Sequence, residues 1–132
     1  MAALEERRAA LRRLEMQADG DVVCAGAVAD VFGDADRVVL CLEREGSPVE
    51  ELLVLRLRDR LYAVVNRCPH LGRELDDGRV HGHVLTCLGH GRSYSLRTGR
   101  RAGPLPRGGP PVLRSVRAWE EDGKVFLDLT GL

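Results

Sequence analysis

A segment of about residues 66–111 is rich in Gly, Pro, His and Cys and poor in apolar residues, and it sits between two stretches of short apolar runs. Such a segment cannot hold one conformation by burial alone, and a bound metal can supply the missing folding free energy. It contains two half-motifs, Cys68-Pro69-His70 and Cys87-Leu88-Gly89-His90, with sixteen residues between His70 and Cys87. Each offers one thiolate and one imidazole. A closed zinc site usually takes its paired ligands from C-x₂₋₄-C and H-x₃₋₅-H units. Here each pair is mixed, and the first is tighter than that spacing. Mixed pairs suit a dinuclear centre in which both thiolates bind one metal and both imidazoles the other.

The flanking stretches read as strands. Val22 to Val31, Val38 to Leu42, Leu52 to Leu57, Leu61 to Val65, Val112 to Trp119 and Val125 to Leu129 are apolar or β-branched, with polar or Gly-containing turns between them. Asp122-Gly123 is a hairpin signal. This spacing predicts an all-β fold, an antiparallel β-sandwich or partly open barrel carrying a small cluster-binding subdomain. Residues 2–18 are instead dominated by Ala, Leu, Glu and Arg, with Leu4, Leu11 and Leu14 on one helical face. The expected organisation is therefore an N-terminal α-helix within residues 1–20, followed by one domain over 21–132. The helix is expected to pack on the domain's own sheet or to dock a partner subunit.

The chain has 20 basic and 20 acidic residues, and nothing in that balance resembles the footprint of a nucleic-acid binder. No apolar run approaches the length of a membrane span. Arg7-Arg8 and Arg12-Arg13 raise a twin-arginine signal, but no apolar region follows either pair. The expected compartment is the cytoplasm, where the four cysteines serve as ligands or buried thiols rather than disulfides. Cys24 and Cys41, within apolar runs, are expected to be buried thiols. His81 and His83 are expected at an exposed hairpin tip, and Trp119 in the core or packed on the sheet.

With its flanks, the ligand pattern resembles the Rieske-type [2Fe–2S] ferredoxins of the dioxygenase, low-potential kind. The resemblance spans roughly residues 21–130. It is carried by Leu61-Tyr62-Ala63-Val64, Cys68-Pro69-His70-Leu71-Gly72, Cys87-Leu88-Gly89-His90-Gly91, Tyr94-Ser95-Leu96-Arg97-Thr98-Gly99 and Gly103-Pro104-Leu105-Pro106. It implies a Rieske [2Fe–2S] cluster held by Cys68, His70, Cys87 and His90, and a one-electron carrier that passes electrons from a flavin reductase to a terminal oxygenase. The alternative is the small subunit of a larger oxidoreductase such as assimilatory nitrite reductase, which the N-terminal helix favours modestly. Either way the chain is expected to be an electron-transfer component without independent catalytic activity.

The sequence departs from the high-potential branch of that family. Where a disulfide ties the two loops of those proteins it has Arg73 and Gly89, and where a Ser sits beside a bridging sulfide it has Arg92. The Tyr that hydrogen-bonds a ligand sulfur has a match in Tyr94. Fewer hydrogen bonds to sulfur imply a potential in the lower part of the Rieske range of roughly −150 to +300 mV.

Overall fold

A computed structural model describes residues 11–58, 60–89, 91–102 and 112–132. Among these residues the fold is mostly β. Seven strands form one strongly bent sheet: β1 (Arg12–Gln17), β2 (Val22–Ala27), β3 (Arg37–Glu43), β4 (Glu50–Leu57), β5 (Arg60–Val65), β9 (Ser115–Glu121) and β10 (Lys124–Asp128). Their order is β1-β3-β4-β5-β9-β10-β2. A second sheet, β6 (Arg79–His81), β7 (Val84–Thr86) and β8 (Ser93–Ser95), lies between β5 and β9 in the chain and carries the Cys- and His-rich segment.

The unbroken apolar runs of β3, β4 and β5 have a physical reason. Successive side chains of a strand point to opposite faces. Val38, Leu40, Leu42, Leu52, Val54, Ala63 and Val65 face the interior of the large sheet, together with Val125, Leu127 and Phe32. Their neighbours Val39, Leu53, Leu55 and Val64 face the other way, into a second core built with Cys68, Leu75, Leu85, Cys87, Tyr94 and Leu96. These three strands are thus buried on both faces, and their outer face is the seat of the second sheet.

The N-terminal helix is corrected over its described part. Arg12–Gln17 is a strand paired in parallel with β3, Leu14 opposite Leu40 and Met16 opposite Leu42. Leu14 and Met16 pack on the interior core while Arg13, Glu15 and Gln17 point outward. That period of two, realised against an open sheet edge, overrides the helix propensity of the residues. This pairing also makes one contact of the otherwise antiparallel sheet parallel. Residues 1–10, with Leu4, lie outside the described residues.

Two further corrections concern β2. The run from Val22 to Val31 is not one strand; it breaks at Ala27 into a short helix, α1 (Val28–Phe32), that plugs Val31 and Phe32 into the core. Cys24 is exposed rather than buried, because the alternation along β2 turns Val23 into the core and Cys24 to the outer face, and Cys41 is half-buried. The final hairpin forms around Asp122-Gly123 as expected. It begins at Ser115, not Val112, and Trp119 stacks on Phe126 at a ring distance of 5.9 Å. His81 is exposed and His83 half-buried at the β6–β7 turn. Among the described residues no helix is long and apolar enough to cross a membrane.

Candidate metal centre

The two half-motifs occupy loops with the same backbone closure. In the first, the Cys68 N–H donates to the Arg73 carbonyl (2.6 Å) and the Gly72 N–H to the Cys68 carbonyl (2.7 Å). In the second, the Cys87 N–H donates to the Arg92 carbonyl (2.8 Å) and the Gly91 N–H to the Cys87 carbonyl (2.9 Å). The residue four after each cysteine must be left-handed to close such a loop, and Gly72 and Gly91 have φ of 77° and 69°. The sequence therefore folds two equivalent loops from unrelated spacers, with Pro69 and His70 inside one and Leu88 and Gly89 inside the other.

Both cysteines are buried in the same apolar cluster. The Tyr94 hydroxyl lies 3.7 Å from Cys68 Sγ. Burial first, then the hydrogen bond and charge of Cys68, push Tyr94 up to about 12, so it stays protonated and able to donate to a thiolate. His70 is half-buried beside Leu71, which is 63% exposed at the loop tip. His90 and the proline-rich run Gly103-Pro104-Leu105-Pro106 lie outside the described residues. Among the described residues no three His, Cys, Asp or Glu side chains gather as a single-ion site.

The matched positions Arg73 and Gly89 do lie together. A Cβ at Gly89 would come within 2.6 Å of Arg73 Cδ, so the Arg73 side chain crosses the second loop. Its guanidinium ends on Asp77 at 2.7 Å, and that carboxylate, first by hydrogen bond and then by charge, raises Arg73 above its ordinary pKa. An arginine stem thus spans the gap that a disulfide closes in the high-potential branch.

A polar cluster beneath the first loop was not anticipated from the sequence. Asn66 is buried; its carbonyl accepts from the Leu75 N–H (2.9 Å), and its amide donates to Asp76 (3.1 Å) and Glu51 (3.2 Å). The Asp76 carboxylate, 3% exposed, also receives Arg13 of β1 at 3.3 Å. Arg37 of β3 donates to the Asp76 and Gly78 carbonyls at 3.1 and 2.7 Å. These groups rivet the loop to β1, β3 and β4. Their only sequence signal was Asn66 beside Cys68 in an otherwise apolar strand end.

The donor set fits an iron–sulfur group: two buried soft sulfur donors on twin loops, one with a protonated hydroxyl beside it, with His70 half-buried in the first loop. The sequence model of the family described as Rieske [2Fe-2S] domain matches residues 21–116. The chain belongs to the Rieske [2Fe–2S] domain family. Its cofactor is accordingly a Rieske-type [2Fe–2S] cluster. Solved Rieske ferredoxins share the fold. The ferredoxin of carbazole 1,9a-dioxygenase from Nocardioides aromaticivorans IC177 is 22% identical, with a TM-score of 0.62 over 83% of this chain and 98% of that one. The Sphingomonas yanoikuyae B1 ferredoxin is 26% identical, with a TM-score of 0.60 over 83% and 98%. A chain from a complex of reduced oxygenase and oxidized ferredoxin in carbazole 1,9a-dioxygenase is 24% identical, with a TM-score of 0.64 over 84% and 95%. No curated protein matches the sequence.

Proposed function

We propose that this Rieske protein is a one-electron carrier that takes electrons from a flavin reductase and delivers them to a terminal oxygenase. The observation that carries the reading is the near end-to-end match of the chain to ferredoxins that cover 83% of it and are themselves covered to 98%. The proposed ligands are Cys68 and Cys87 for one iron and His70 and His90 for the other, within a cluster-binding unit of about residues 66–111. When bound, the cluster supplies reversible one-electron chemistry. The chain's own residues do the rest. The apolar cluster around Cys68 and Cys87 excludes water, Tyr94 offers its hydroxyl hydrogen to Cys68 Sγ, and the Asn66–Asp76–Arg13 cluster holds the first loop on the sheet. Four protein ligands leave no coordination position for a substrate, so catalysis belongs to the partner.

The proposed compartment is the cytoplasm. Arg13, of the second arginine pair, is engaged by Glu51 and Asp76 in the folded sheet, which argues against a signal role for that pair. The small-subunit alternative was favoured modestly by an N-terminal helix, and the strand at Arg12–Gln17 replaces the described part of that helix. The test is anaerobic mixing. A flavin-dependent NADH:ferredoxin reductase should load one electron per chain, and an oxidised Rieske oxygenase should unload it. A protein that accepts electrons from dithionite but from no such reductase, and that purifies bound to a larger subunit, would overturn the shuttle in favour of the subunit.

A further inference from the structure

The charge of this chain is balanced but unevenly placed. Residues 66–102 hold seven arginines and three carboxylates, a net charge of +4 on a chain whose formal charge is zero, which leaves −4 on the remainder. The three carboxylates are spoken for. Glu74 and Asp76 face Arg13 at 3.6 and 3.3 Å, and Asp77 holds Arg73 at 2.7 Å. The six other arginines, Arg67, Arg79, Arg92, Arg97, Arg100 and Arg101, have no ion-pair partner among the described residues.

Three of these arginines have their backbone or stem at the two loops or beside them. The Arg67 stem lies along the first loop, 3.8 Å from where a Gly72 Cβ would stand. The Arg92 carbonyl closes the second loop on Cys87. Arg101 bridges Tyr94, the residue whose hydroxyl meets Cys68. Within the same two loops two apolar side chains reach solvent, Leu71 at 63% exposure next to His70 and Leu88 at 40% next to Cys87. An apolar centre with a charged rim is the anatomy of a protein docking site, and the rim's sign selects the partner.

We propose that the loop end of the subdomain docks a redox protein whose contact face is apolar at its centre and rimmed with carboxylates, and that the +4/−4 asymmetry turns that partner toward the loops before contact. This rests on the electron-carrier reading and adds the chemistry of the partner's surface. Because net charge is zero, orientation comes from the separation of charge within the chain, which steers encounter without a net attraction at long range.

The test uses the cluster-loaded chain and two protein probes of opposite contact charge: cytochrome b5, with an acidic haem edge, and cytochrome c, with a basic one. Calorimetric affinities are read as salt rises from about 0.01 M to about 0.1 M, over which the screening length falls from roughly 30 to roughly 10 Å. Cytochrome b5 is expected to bind more tightly than cytochrome c and to weaken steeply with salt. Arg67→Glu, at the rim, should weaken cytochrome b5 about fivefold or more. Arg97→Glu/Arg100→Glu, away from the loops, should weaken it less and reduce its salt dependence while leaving iron content and the EPR spectrum unchanged. Equal affinity for the two probes, preference for cytochrome c, or indifference to both variants would overturn the proposal. Those outcomes with an intact, reducible cluster leave the carrier reading standing. A chain with no reducible cluster defeats that reading whatever the probes do.

Discussion

Asn66→Ala removes the polar hinge on which the first ligand loop rests. In the native protein the Asn66 side chain accepts from the Leu75 N–H and donates to the Asp76 and Glu51 carboxylates. Leu75 is fully buried, so its amide has no water to turn to, and an orphaned buried N–H costs about 1–3 kcal/mol. Asp76, 3% exposed, loses one of its two donors, and a hydrogen bond to a charged group contributes about 1.5–3 kcal/mol. Together the expected loss is about 3–5 kcal/mol, which for a chain of this size lowers the thermal midpoint by about 10–20 °C at fixed scan rate. Hydrogen exchange should locate the damage at the Leu75 amide. Asn66→Asp should be worse near neutral pH, since it sets a third carboxylate against Asp76 and Glu51, and should recover part of the loss in acid. A stability loss below about 1 kcal/mol, or an unchanged Leu75 exchange rate, would refute this reasoning.

Three further outcomes are expected. Tyr94→Phe deletes the hydroxyl beside Cys68 Sγ; a hydrogen bond of about 1 kcal/mol favouring the reduced state predicts a midpoint about 40 mV lower by potentiometric titration, and an unchanged or raised potential contradicts it. Glu74 titrates above the ordinary carboxylate range because burial, then the charge of Asp76, outweigh Arg13 at 3.6 Å. Its raised folded pKa means its contribution is present in acid and is lost as pH rises through that pKa. Glu74→Gln should therefore flatten the acid-side slope of stability and, at this half-exposed site, gain no more than a few tenths of a kcal/mol at neutral pH, read from denaturant midpoints against pH. Gly78→Ala places a Cβ 2.9 Å from the Leu75 carbonyl oxygen and 3.0 Å from that of Thr86; because these are backbone atoms, it should cost about 1–3 kcal/mol in the same assay.

The two cysteine loops and most strands were legible because each has a local cause. A glycine four residues after each cysteine and the Asp122-Gly123 turn act over a few residues. The N-terminal region was misread because its Ala, Leu, Glu and Arg content favours helix. The decisive term was pairing of Leu14 and Met16 with Leu40 and Leu42, more than twenty residues away. Burial of Cys24 was misjudged because an unbroken apolar run does not tell which of its alternating side chains faces the core; Val23 does and Cys24 does not. The Asn66, Asp76, Arg13 and Arg37 cluster joins β1, β3 and the first loop, and no spacing rule links residues so far apart.

The central claim is tested most directly by low-temperature EPR of the anaerobically purified, dithionite-reduced protein, with iron and sulfide assayed on the same sample. The account predicts about two irons and two sulfides per chain and a rhombic signal whose average g lies clearly below that of all-cysteine clusters, as expected for histidine ligation of one iron. The signal should shift or vanish in His70→Cys and His90→Cys. A sample that is EPR-silent and holds zinc, or that takes up no iron on anaerobic reconstitution, would contradict it.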